Sequence, residues 1–125
     1  MLLNAVLEEK APETGFLQEA QSVKEYVENY FSDIPVMIDI ADCESRFRHF
    51  NRKGSVLRGE FTPLDVGVMQ ISEFYHKDTA AQLGLNLHSV EGNLAYARYL
   101  FEKEGTTPWL SSRKCWGREN HIARK

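Results

Sequence analysis

The apolar run Val36-Met37-Ile38-Asp39-Ile40-Ala41 ends on Cys43-Glu44-Ser45, and this junction constrains the chain more than any other stretch. Apolar residues at helical spacing must bury one face, so a carboxylate closing such a run sits at the edge of a core. Pro35 suits a first helical turn, and Asp33 is a candidate cap, which predicts a helix from Ile34 to His49. Ile38, Ala41 and Phe47 mark its apolar face. Glu44 falls six residues after Ile38, so it projects near that face without belonging to it. A polar stretch with Gly54, Gly59 and Pro63 follows. A second carboxylate, Asp65, then opens the tight run Val66-Gly67-Val68-Met69-Gln70-Ile71.

The two carboxylates stand in unlike surroundings. Desolvation raises the pKa of a carboxyl at the end of an apolar helix, whereas an aspartate in a polar hairpin stays ionised. Such asymmetry suits a pair in which one group is an acid and the other a stabiliser of positive charge.

Elsewhere the pattern is mostly helical. Phe16-Leu17, Ala20, Val23, Tyr26-Val27 and Tyr30-Phe31 recur at helical spacing up to a break at Ser32-Asp33. The stretch from 51 to 65, with scattered Val56, Leu57 and Phe61, reads as a small irregular β-hairpin or loop. Asp78 to Leu83 reads as a short helix stopped by Gly84. Ser89 is a candidate cap for a long helix with Leu94, Ala97, Leu100 and Phe101 as its buried stripe, ended by Gly105. Thr107-Pro108-Trp109 opens a last short helix through Cys115-Trp116, with the two tryptophans clamping it to the core. The expected fold is α+β, mostly α, with a small β-hairpin lobe. Residues 1–15 read as a loose arm, 16–117 as one domain and 118–125 as a polar tail.

At 125 residues the chain suits a single domain. Its formal net charge of −3 argues against nucleic acid as a partner. No apolar run approaches the roughly 18 residues of a membrane span, so membrane insertion is not expected. Met1-Leu2-Leu3 opens an apolar stretch that Glu8 and Glu9 end, so it does not read as a secretory signal. Neither cysteine has a ligand-spaced partner, and His49, His76 and His88 lack the spacing of a metal site or a triad. No metal or cofactor is expected. The two cysteines fit one disulfide or two reduced, buried thiols.

Three segments, in order, resemble the lysozyme-like superfamily: Cys43-Glu44-Ser45-Arg46-Phe47, Gly67-Val68-Met69-Gln70-Ile71 and Asn93-Leu94-Ala95-Tyr96-Ala97-Arg98-Tyr99-Leu100. The nearest branch is the soluble lytic transglycosylases, which show a Glu-Ser pair, a Gly-Leu-Met-Gln run and an Asn-Ile…Gly…Tyr-Leu helix. Ala97 stands where that branch has glycine. Asp65 before Val66-Gly67 instead resembles animal-type lysozymes. Cys43 directly before the glutamate, with Trp109 and Cys115 near the end, resembles the resuscitation-promoting factors. The likeness covers roughly residues 34 to 116.

That resemblance implies cleavage of the β-1,4 bond between N-acetylmuramic acid and N-acetylglucosamine in peptidoglycan, by a lytic transglycosylase or a muramidase. Glu44 would be general acid and then general base. Asp65 is either a turn former or a second catalytic group facing the scissile sugar. Ser45, Met69, Gln70, Asn93 and Tyr99 would be the substrate-binding residues, with Gln70 on the sugar's N-acetyl group and the Tyr99 hydroxyl near the glutamate. Each also has a plain structural reading: Met69 as core, Gln70 as a buried amide, Asn93 as a helix-start residue, Tyr99 as a half-buried helical tyrosine. Phe74 and Tyr75 either stack on sugar faces or belong to the core rim. Arg46, Arg48, Arg52, Lys53 and Arg58 form a basic stretch that is a solvated face or an attractor of anionic wall polymer. The resuscitation-promoting factors imply a Cys43–Cys115 disulfide. The expected partner is a peptidoglycan glycan strand, met by a monomer, in an extracytoplasmic compartment or after delivery by a phage lysis system. A non-catalytic glycan-binding module of the same fold is the alternative.

Overall fold

The computed structural model describes residues 22–117. The arm at 1–15, the first part of the helix expected from Phe16, and the tail at 118–125 lie outside the described residues. The architecture is α+β and mostly α. Helix α1 (Val23–Tyr30) starts where the Ser22 hydroxyl accepts from the Glu25 N–H at 3.1 Å. Helix α2 (Pro35–Ser45) begins on its proline. A small lobe follows, held by single antiparallel bridges of Phe50 to Val56 and Arg58 to Val66. Strands β1 (Asp65–Val66) and β2 (Ile71–Ser72) pair antiparallel, with Asp65 opposite Ser72 and Val66 opposite Ile71. Helices α3 (Glu73–Gln82) and α4 (Val90–Glu104) come next, then a 3-10 turn (Thr107–Ser112) and the short helix α5 (Arg113–Trp116).

One core joins these elements. Met37, Ile40 and Ala41 of α2 meet Leu94, Ala97 and Leu100 of α4 in one apolar cluster, which Val66, Val68, Met69 and Ile71 extend from the hairpin. Trp109 and Trp116 close the cluster at the C-terminal end. Helix α2 packs against both the 3-10 turn and α5. A disulfide between Cys43 and Cys115, with Cα atoms 5.9 Å apart, ties these elements across 72 residues of sequence. A loop of that length contributes about 4 kcal/mol in the chain-entropy account.

Four expectations need correction. Asp33 does not cap α2: Ile34 occupies that position without a side-chain bond. Asp33 instead pairs with Arg98 of α4, Oδ2 to Nη1 at 2.9 Å and Oδ1 to Nη2 at 3.0 Å, and this partner holds its carboxyl below the ordinary range. Helix α2 stops at Ser45, not His49. Arg46 (φ 58°) and Phe47 (φ 61°) turn left-handed, and the Arg46 N–H returns to the Asp42 carbonyl at 2.8 Å. The reversal packs Phe47 against the core and buries His49. Helix α3 begins at Glu73, five residues before Asp78, because Ser72 caps it. Its periodicity is masked by Phe74 and Tyr75, which face solvent. In α4 the buried stripe holds Leu94, Ala97 and Leu100 as expected. Phe101 is only half-buried, while Asn93 and Tyr96 are buried. No helix among the described residues is long and apolar enough to cross a membrane.

Candidate active site

Glu44 lies in the last turn of α2, one residue before its end. Burial has the largest influence on its carboxyl and pushes the pKa above the ordinary value. A hydrogen bond from Ser112 opposes that rise, and the charge of Asp65 adds to it. The charge of Asp65 thus reaches the Glu44 carboxyl. Asp65 is partly buried, which raises its own pKa.

Ser112 was not among the residues singled out from the sequence. Its Oγ donates to Glu44 Oε2 at 2.6 Å and lies 3.2 Å from the Trp109 carbonyl. Trp116 Nε1–H donates to the same Oγ at 3.0 Å. Cys43 precedes Glu44 directly and Cys115 follows Ser112 by three residues, so the disulfide holds both sides of this contact together. That is the one signal that pointed toward it: with the bridge granted, residues one helical turn before Cys115 fall near Glu44.

The chain after Asp65 is fixed from behind. Gly67 (φ 79°) opens the reversal between the strands, and a Cβ there would collide with Asn93 Nδ2 and His49 Cε1. Asn93 accepts from the Met69 N–H at 2.9 Å and donates to the carbonyls of Val66 at 3.0 Å and Leu87 at 2.9 Å. The Val68 N–H donates to His49 Nδ1 at 3.0 Å, which assigns the ring proton to Nε2, and Nε2 donates to the His88 carbonyl at 2.9 Å. Burial lowers the His49 pKa and keeps this neutral form. Gln70 sits left-handed (φ 52°) with its Nε2 on the Gly67 carbonyl at 2.9 Å. Among the described residues, Arg46, Phe47 and Gln70 are the non-glycine positions with positive φ. Each such position costs about 1–3 kcal/mol. All three flank the segments that carry Glu44 and Asp65, a concentration of strain found where backbone shape serves a site.

The residues expected to bind substrate are thus divided. Ser45 is buried, with its hydroxyl on the Ala41 carbonyl and the Arg48 N–H. Met69 is fully buried, and its carbonyl accepts from Trp109 Nε1 at 2.9 Å. Asn93 is fully buried, with both its amide protons and its carbonyl oxygen bonded to the backbone. These three hold the site's frame. Gln70 remains partly accessible. Tyr99 is half-buried, its ring tilted against Tyr96 at 5.3 Å and under Lys103 at 5.4 Å. No protein-family model, curated protein or solved structure matches this chain. The functional reading therefore rests on the residues themselves.

Other polar clusters lie elsewhere. Glu73 pairs with Arg58 at 3.1 Å and with His88, which neutralises one member of the basic stretch. His76 Nδ1 lies 2.9 Å from the Tyr96 hydroxyl. Among the described residues, no group of three or more His, Cys, Asp or Glu side chains is placed to hold a metal ion. A concavity of about 660 Å³ is lined by Asn51, Ser55, Val56, Leu57, Arg58 and His88, and a smaller one of about 350 Å³ by Leu64, Glu73, Phe74, Tyr75, Lys77 and Asp78. Neither is lined by Glu44 or Asp65. Phe74 and Tyr75 are 71% and 75% exposed, which removes them from the core rim, and their rings meet edge to face at 4.9 Å.

Proposed function

We propose that this protein cleaves peptidoglycan glycan strands at the β-1,4 bond between N-acetylmuramic acid and N-acetylglucosamine, with Glu44 as general acid and then general base. The observation that carries the reading is the state of Glu44. Its carboxyl is half-buried at a helix end and raised in pKa by burial and by a second carboxylate. A group so held is protonated at higher pH than a free glutamate and has a proton to give to a leaving oxygen. The choice of sugar and linkage comes from the sequence resemblance.

In the proposed reaction Glu44 protonates the glycosidic oxygen as the bond to the anomeric carbon breaks. The positive charge that develops at that carbon is stabilised by Asp65. Glu44, now a carboxylate, takes a proton from the hydroxyl that attacks next. Water as that hydroxyl makes the enzyme a muramidase. The muramyl 6-hydroxyl makes it a lytic transglycosylase. The disulfide favours an oxidising, extracytoplasmic setting for this work.

Mass spectrometry of products from purified peptidoglycan tests the proposal, with Glu44→Gln as control. Reducing muropeptides identify a hydrolase and anhydro ends a transglycosylase. Binding without products from the wild-type protein leaves a glycan-binding module of the same fold. Neither binding nor products refutes the reading altogether.

A further inference from the structure

We infer that Ser112 is a positioning residue for Glu44: its hydroxyl reserves Oε2 and leaves Oε1 as the oxygen that carries and delivers the acid proton. The inference rests on the reading of Glu44 as the acid–base group and adds the device that orients it.

A serine hydroxyl has one proton to give and two lone pairs to offer. The indole N–H of Trp116 can only donate, and it points at Ser112 Oγ from 3.0 Å. One lone pair is therefore taken, and the hydroxyl proton is free to go to Glu44 Oε2 at 2.6 Å or to the Trp109 carbonyl at 3.2 Å. The bond to Glu44 is shorter than the one to the Trp109 carbonyl by a wide margin, and it strengthens further when Glu44 is ionised, because bonds to an ionised acceptor are the stronger class. Trp116 has a single Nε1–H, which lies nearer Ser112 Oγ at 3.0 Å than the Trp109 carbonyl at 3.2 Å and is shared between them. Among the described residues Oε1 has no hydrogen-bond partner.

With Oε2 held as an acceptor, the acid form carries its proton on Oε1. That proton passes to the leaving glycosidic oxygen, which also takes the electron pair of the breaking C–O bond. The carboxylate left behind keeps the same bond from Ser112, now strengthened by charge. Oε1 then takes the proton of the attacking hydroxyl as that oxygen bonds to the anomeric carbon. Ser112 donates in both states and need not move. Helix α2 and the C-terminal turn supply the two halves of this contact, and the Cys43–Cys115 bridge keeps them in register.

The test compares Ser112→Ala and Ser112→Thr in the oxidised full chain, with Ser112→Gly in reserve if the alanine variant does not fold. The first readout is the ¹³C NMR titration of the Glu44 side-chain carboxyl, which needs no catalysis. Loss of a bond that favours the charged form moves the midpoint to higher pH in Ser112→Ala, and Ser112→Thr restores it. The second readout is turnover of peptidoglycan. Here kcat falls about 10-fold or more with KM little changed, and the alkaline limb of the pH profile moves up. An unmoved midpoint overturns the inference. So does a midpoint moved to lower pH, which would mean that Ser112 accepts a proton from Oε2 and holds it away from substrate. A midpoint that rises as expected in a protein that cleaves nothing upholds the Ser112–Glu44 contact and refutes the glycosidase reading instead.

Discussion

Replacing Asn93 by leucine keeps the branched shape of the side chain and removes every polar atom from it. The site is fully buried, so water cannot take over its three hydrogen bonds. The Met69 N–H and the carbonyls of Val66 and Leu87 lose their partner together. At about 1–3 kcal/mol for each buried group left unsatisfied, the loss is about 3–9 kcal/mol. A domain of this size holds only about 5–15 kcal/mol in total. Even the low end lowers the melting temperature by at least about 12 °C, at roughly 4–8 °C per kcal/mol. Asn93→Asp is a sharper variant: it still accepts from Met69 but turns a carboxylate toward two carbonyls, so it should melt at least as low. Thermal and urea melts of the three proteins, run beside binding of a chitooligosaccharide, give the answer. An Asn93→Leu protein that melts within about 4 °C of wild type yet no longer binds glycan would refute the reasoning. Asn93 would then be a ligand group after all, and the turn from 66 to 69 would be held by something else.

Glu44→Gln should abolish cleavage and leave the fold at least as stable near neutral pH. The sign follows from the raised pKa of the folded state: the stability that Glu44 lends is complete below its unfolded value of 4.5 and is lost as pH rises through the folded value. Matched melts should therefore show the glutamine variant gaining on wild type as pH rises, and a variant clearly weaker at pH 7 would mark Glu44 as a structural charge. Asp65→Asn removes a charge that raises the Glu44 pKa, so the alkaline limb of the activity profile should move to lower pH while a substantial fraction of activity survives; loss as complete as in Glu44→Gln, in a folded protein, would make Asp65 an essential catalytic group. Reduction of Cys43–Cys115 should cost about 4 kcal/mol and lower the melting temperature by roughly 20 °C. Two titratable thiols in the native, unreduced protein would contradict the bridge itself.

Features that need only neighbours in sequence were legible beforehand. Ser89 caps α4 because its hydroxyl has to reach only the Gly92 N–H, three residues on. Gly84 and Gly105, at φ 74° and 64°, mark helix ends because their backbone tolerates what a side chain resists. The run from Val66 to Ile71 read as a tight segment from its residues alone, and Glu44 read as the edge of a core from the helix it closes. The pairing of the cysteines came only from resemblance. What the tertiary structure decided is which polar groups meet. Asn93 joins Met69 across 24 residues and Val66 across 27, so its role as a clamp was invisible to local pattern. Arg98 takes Asp33 across 65 residues and so removes it from the capping position that its sequence neighbours had suggested. Arg46 and Phe47 adopt a conformation that no glycine announces, because burying Phe47 and His49 outweighs the local cost. Ser112 reaches Glu44 across 68 residues. A hydroxyl carries no periodicity and no charge by which to foresee such a contact. Periodicity reports burial of apolar surface, which is additive along a helix or strand. Hydrogen-bond partners are chosen by the folded geometry, and only that geometry turned a glutamate at a helix end into a carboxyl with one oxygen held and the other free.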